Sequence, residues 1–117
     1  MNKILGIGGL FFRANDPAAL KSWYVDVLGI VIKEYVWQQE AGPTVLEPFA
    51  MDSDYFPLDK SWMINFRVSD LEAVIADLKG KGVNVEVRDE WNASPEMGKF
   101  ARVQDPEGNP VELWQPA

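Results

Sequence analysis

The side chains able to carry chemistry are few, and what is missing narrows the options first. The chain has no histidine and no cysteine. That removes Ser-His-Asp and Cys-His nucleophilic catalysis, an imidazole general base, thiolate metal ligands, disulfides and the two-His-one-carboxylate iron site. Carboxylates, guanidinium groups and aromatic rings remain. Glu112 stands out because it interrupts an apolar run, Val111-Glu112-Leu113-Trp114. A carboxylate placed there is either a general base in a partly apolar setting beside Trp114 and Met63, or the ion-pair partner of a cation such as Arg102. Arg13 and Arg67 lie at matching places in two similar stretches. They either grip a substrate carboxylate bidentately or pair with the surplus of acidic groups. Five tryptophans add flat faces on which planar or cationic ligands stack.

The elements that must position these groups come as a repeat. Leu10-Phe11-Phe12-Arg13-Ala14-Asn15-Asp16-Pro17 precedes one apolar helical run, and Ile64-Asn65-Phe66-Arg67-Val68-Ser69-Asp70-Leu71 precedes another. Overlaid, Phe12 falls on Phe66, Arg13 on Arg67 and Asp16 on Asp70. Each copy reads as strand, Asp cap, helix, glycine, strand. In the first, Ile4–Arg13 is predicted as a strand, and Ala18–Leu28 as a helix with Leu20, Trp23, Tyr24 and Val27 on its apolar face. Val31–Trp37 follows as a strand, and Thr44–Met51 as a strand bent at Pro48. A polar loop, Asp52–Lys60, joins the halves. In the second, Ser61–Val68 is a strand, and Leu71, Val74, Ile75 and Leu78 mark a helix. Val83–Val87, Phe100–Gln104 and Pro110–Gln115 are strands, with a loop at Asp89–Gly98 and a turn at Asp105–Asn109. The class is therefore α+β: two tandem βαβββ modules, about 1–55 and 58–117, sharing one core in a single domain 1–117, with a curved mixed sheet around a cleft and helices on the outer face.

Strand residues alternate between faces. Ile64, Phe66, Val68, Ala101, Val103, Val111 and Leu113 are apolar enough to lie under the helices, as are Leu10 and Phe12. The cleft is then lined by Phe11, Arg13, Met63, Asn65, Arg67, Phe100, Arg102, Glu112 and Trp114, with Trp37 and Glu47 as further candidates from the first half. Aromatic walls with a few polar groups suit a small molecule. Trp62 and Trp91 are expected in loops or at the rim. A net charge of −7 disfavours nucleic acid and anionic membrane surfaces. The absence of cysteine fits the cytoplasm, and the N-terminal residues read as a first strand and not as a signal sequence.

The paired modules, the Asp16-Pro17 helix start, Trp23-Tyr24 with Leu28-Gly29 at the helix end, and the closing Asp105-Pro106-Glu107-Gly108-Asn109-Pro110-Val111-Glu112-Leu113 together resemble the glyoxalase / bleomycin resistance / extradiol dioxygenase superfamily, the vicinal oxygen chelate fold. The resemblance implies a homodimer and a small-molecule site. In that superfamily the enzymes hold a divalent metal with a His or Gln on the first strand, a His on the strand opening the second module and a Glu on the last strand. Carried over, the last of these is Glu112. The other two fall seven residues before each capping Asp, on Gly9 (16 − 7 = 9) and on Met63 (70 − 7 = 63). A further family glutamate corresponds to Glu47. Glycine has no donor side chain and a thioether suits hard ions poorly. The expectation is therefore a small-molecule-binding protein without a metal cofactor. The alternative is a lyase, isomerase or hydrolase that uses Glu112 as base or a divalent cation weakly held by Glu47 and Glu112.

Overall fold

Two aspartates start two helices, as the repeat requires. Asp16 accepts the Ala19 N–H at 3.1 Å, and Asp70 accepts the Ala73 N–H at the same distance. Helix α1 then runs Pro17–Asp26, with proline at its first position, and α2 runs Leu71–Gly80. The computed structural model describes residues 3–117; Met1 and Asn2, which the expected first module includes, lie outside the described residues. Between the helices come β1, Ile32–Lys33, β2, Val36–Trp37, and β3, Ile64–Arg67. After α2 come two short 3-10 turns, then β4, Lys99–Gln104, and β5, Pro110–Gln115.

The main sheet has the order β3-β5-β4, with β5 parallel to β3 and antiparallel to β4. Beyond β4, Glu86 forms a two-bond backbone bridge with Arg102. One face of this sheet carries the core. Ala101, Val103, Val111 and Leu113 are all buried against Leu71 and Leu78 of α2 and Leu20 and Tyr24 of α1. Alternation along β4 and β5 therefore runs as the apolar pattern demands.

Helix α1 is fastened at both ends by charges from the second half of the chain. At its N-terminus the Glu107 carboxylate accepts the backbone N–H groups of Asn15 and Asp16, both at 2.9 Å. Those two hydrogen bonds hold the Glu107 carboxyl below its ordinary range. At the C-terminus the Lys81 ammonium donates to the carbonyls of Asp26 and Val27, at 3.3 and 3.1 Å. Helix α1 has no basic residue in its own last turn, so Lys81 supplies the favourable cation from outside. Tyr24 adds a third tie: its hydroxyl donates to buried Asp105 at 2.6 Å. Asp105 also accepts from the backbone of Glu107 and Asn109, so one carboxylate shapes the turn and binds the helix to it.

The first half departs from its prediction. Ile4–Arg13 and Thr44–Met51 are not strands, and Val31–Trp37 is not one strand but a tight antiparallel hairpin. A strand needs a partner for its N–H and C=O groups, and neither stretch finds one among the described residues. Three glycines in 6–9 and the missing N–H of Pro43 and Pro48 weaken any pairing further. Val83–Val87 contracts to the single bridge at Glu86. Among the described residues no helix is long and apolar enough to cross a membrane.

Candidate functional site

The face of the sheet opposite the helices is built in two rows by strand register. Asn65, Glu112 and Arg102 stand opposite one another across β3, β5 and β4. Arg67, Trp114 and Phe100 form the next row. Directly opposed residues share a face, so six of the nine predicted site residues are brought together by pairing alone. Met63 precedes Asn65 by two and is partly buried. Phe11 and Arg13 are not brought in: Phe11 is 92% exposed and Arg13 is exposed. Both sit on the stretch that lacks a strand partner. Glu47 is exposed as well. Trp37 packs edge-on against Phe66 at 5.8 Å, which puts it on the helix side and not in the cleft.

The second row is an aromatic platform. Phe100 and Trp114 stack with centroids 6.1 Å apart and 7° between planes. The Trp114 indole N–H donates to the Met97 carbonyl at 2.8 Å, which fixes its ring. Gly98, with φ of 100°, lets the chain pass this close: a Cβ there would collide with the Gln115 carbonyl. Arg67 donates to the Glu40 carbonyl at 3.0 Å instead of pairing with a carboxylate.

The first row holds the unusual electrostatics. Glu112 and Arg102 are each 6% exposed and stand opposite one another, yet neither makes a salt bridge among the described residues. Of the two readings of Glu112 left open by the sequence, the ion pair with Arg102 does not form among the described residues. Neutral donors hold the carboxylate instead: Tyr55 Oη at 2.5 Å on one oxygen and Asn65 Nδ2 at 2.8 Å on the other. Arg102 is held by π faces. Its guanidinium lies 4.5 Å from the centroid of Trp91 and 5.0 Å from that of Tyr55. Arg88 covers Trp91 from another position at 5.1 Å. The Nε and Nη2 groups of Arg102 are buried with no hydrogen-bond partner. Buried donors of this kind are uncommon, since each carries an unrecovered desolvation cost. Burial, then the hydrogen bond to Glu112 and its charge, push the Tyr55 phenol well above its usual range, so it acts as a donor.

Tyr55 and Trp91 are functional neighbours that sequence reasoning missed. Trp91, expected at a rim, is buried beside Arg102. Tyr55 lay in a segment read as a polar loop; the signal was the aromatic pair Tyr55-Phe56 inside it. Next to both rings is a cavity of about 300 Å³ lined by Asp54, Tyr55, Arg88, Glu90 and Trp91.

Residues 6–113 match the Glyoxalase/Bleomycin resistance protein/Dioxygenase superfamily. The chain belongs to this superfamily. Among solved structures it is similar to TnmS3, an antibiotic binding protein from Streptomyces sp. CB03234, with 25% identity, a TM-score of 0.63, and coverage of 99% of this chain and 100% of that one. A glyoxalase/bleomycin resistance protein from the same Streptomyces is 22% identical, covering 86% of this chain and 92% of that one with a TM-score of 0.54. An integron cassette protein from the mobile metagenome of V. cholerae is 14% identical, covering 98% and 100% with a TM-score of 0.53. No curated protein sequence matches. Against the superfamily's metal-binding pattern, the donor set here does not fit a hard divalent ion. Gly9 offers nothing, Met63 offers a thioether, and Glu112 alone of the three positions supplies a carboxylate. Among the described residues no three His, Cys, Asp or Glu side chains cluster as metal ligands would.

Proposed function

We propose that this chain binds a small organic molecule on the face formed by Asn65, Glu112, Arg102, Arg67, Trp114 and Phe100, without a metal cofactor. One observation carries the reading: a buried carboxylate and a buried guanidinium with unmet N–H groups lie side by side without pairing, next to an aromatic platform. Structural ion pairs saturate each other, whereas here the Arg102 donors are kept in reserve for a guest. The similarity to TnmS3 over the full length of both chains supports the same class of role. The test is a small-molecule library, natural-product antibiotics included, screened by thermal shift and followed by calorimetry on wild type and Glu112→Gln. A hit that loses affinity in Glu112→Gln supports the reading. A library that gives no hit, or hits indifferent to Glu112, counts against it.

We further propose that the protein is a cytoplasmic homodimer in which a second copy pairs with the first-half stretches. Ile4, Leu5 and Phe11 are 94, 89 and 92% exposed, an arrangement costly in water and relieved by a strand partner. Phe11 and Arg13 would then join the site from the other copy. Sedimentation of wild type should give a dimer, and Phe11→Glu should shift it toward monomer; a monomeric wild type refutes this.

A further inference from the structure

We infer that Tyr55 is a displaceable plug occupying a ring-binding subsite, and that the guest it stands in for is a planar ring carrying a hydroxyl that donates to Glu112 and, meta to it, an acceptor for Arg102. This rests on the binding role proposed above and names its ligand class.

The two halves of the subsite differ in how firmly they are built. Glu112 and Arg102 sit in six-residue strands, paired along their whole length. Tyr55 sits in the loop 52–60, which has no regular structure and whose backbone hydrogen bonds close locally, Ser53 to Ala50 and Lys60 to Pro57. Among the described residues the loop's one hydrogen bond to the sheet is that of the Tyr55 hydroxyl to Glu112. The apolar neighbours Met51 and Leu58 are exposed and anchor little, and Phe49, on which Tyr55 and Phe56 pack, is itself 48% exposed and lies outside the sheet. A segment held this way opens at low cost, while the strands beneath keep their geometry.

The contacts of the Tyr55 ring describe what would replace it. Its hydroxyl donates to Glu112, and its face covers the Arg102 guanidinium at 5.0 Å. It completes a column in which cations and rings alternate: Arg88, Trp91, Arg102, Tyr55. The tyrosine satisfies Glu112 but leaves Nε and Nη2 of Arg102 unmet. A guest ring with a carbonyl or carboxylate meta to its hydroxyl, too far for the two groups to bond to each other, would keep the first contact and add the second, which is a reason for it to win over the resident side chain. The cavity flanking Tyr55 and Trp91 leaves space for the guest's remaining atoms.

Tyr55→Ala should vacate the subsite. Phenol titrated by calorimetry should bind Tyr55→Ala and not wild type, and anisole, which cannot donate, should bind about tenfold more weakly. With its added carboxylate, 3-hydroxybenzoate should bind Tyr55→Ala about tenfold more tightly than phenol, and Arg102→Met should abolish that gain. Equal binding of phenol and anisole, or no phenol binding, overturns the proposal. Should Tyr55→Ala fail to fold, Tyr55→Phe decides: with its tether cut, it must bind 3-hydroxybenzoate more tightly than wild type, and equal or weaker binding overturns the plug. Failure of the parent reading looks different. It is a wild type with no ligand in the library, which leaves the phenol result in Tyr55→Ala unaffected. A library ligand that loses affinity in Tyr55→Ala makes Tyr55 a wall of the site and sinks the plug alone.

Discussion

Replacing Tyr55 by phenylalanine removes one oxygen and leaves the ring over Arg102 and Trp91. The loss is therefore the hydrogen bond to Glu112, made at 2.5 Å to a carboxylate that is only 6% exposed. Hydrogen bonds to charged groups contribute about 1.5–3 kcal/mol, and the half-buried position of Tyr55 favours the lower end, about 1.5 kcal/mol. Glu112→Gln acts on the same bond and also removes the negative charge nearest Arg102 along the row, so it should cost more, about 2–3 kcal/mol. Because both changes strike one contact, the double variant should be less destabilised than the sum, with a coupling of about 1 kcal/mol. The measurement is urea unfolding followed by tryptophan emission. With a slope of about 1.5 kcal/mol per molar for a chain of this size, Tyr55→Phe should lower the midpoint by about 1 M. A change below about 0.5 kcal/mol in Tyr55→Phe, or additive costs in the double variant, would refute the placement of the hydroxyl on Glu112. The plug argument would fall with it.

Three other outcomes follow from the packing and the titrating groups. Burial and Asp105 push the Tyr24 phenol far up, and burial and Glu112 do the same for Tyr55. The stability that goes with a raised folded value is complete below the unfolded tyrosine value of 10.0 and declines as pH rises past it; absorbance at alkaline pH should show both phenols ionising together with unfolding. Glu107 is the opposite case. Its folded value is lowered, so its contribution is present above the ordinary value of 4.5 and is lost as pH falls through the folded one. Acid unfolding of Glu107→Gln should lack that part of the pH dependence, and the variant should be less stable than wild type at neutral pH. Leu78 is 1% exposed at the centre of the core, and Leu78→Ala should cost about 2–5 kcal/mol in the same urea assay.

What the chain's letters disclosed divides along a physical line. Local and pairwise signals were readable. The aspartate caps are bonds between residues three apart, and the faces of β4 and β5 follow from alternation once the apolar set is known. The rows Asn65–Glu112–Arg102 and Arg67–Trp114–Phe100 were thus legible as a shared face, though the sequence alone says nothing of register. What could not be read depends on a loop folding back over that face. Nothing in Asp54-Tyr55-Phe56 announces that its phenol lands on Glu112, 57 residues later. The same blindness left Glu112 open between a general base and an ion-pair partner of Arg102: only the arrival of Tyr55 and Trp91 shows why each charge is held by rings and neutral donors instead.

The repeat carries this line one step further. Its two copies agree wherever the interaction is local, at Asp16 and Asp70, and diverge wherever it needs a neighbour. Ile64–Arg67 becomes a strand because Pro110–Gln115 runs beside it; the matching stretch through Phe12 has no such companion among the described residues. Yet that stretch is not discarded by the fold. Phe12 packs edge-on against Tyr24 at 6.0 Å and Trp62 at 5.6 Å, while its neighbour Phe11 points outward. Anchored on one side and exposed on the other, it has the form of a strand waiting for its edge to be filled. Glu107, which clamps the start of α1 through Asn15 and Asp16, holds the base of that stretch in place whether or not the edge is filled. A second copy could therefore dock onto a surface already positioned, and the site could gain Phe11 and Arg13 without rebuilding the sheet that carries Glu112.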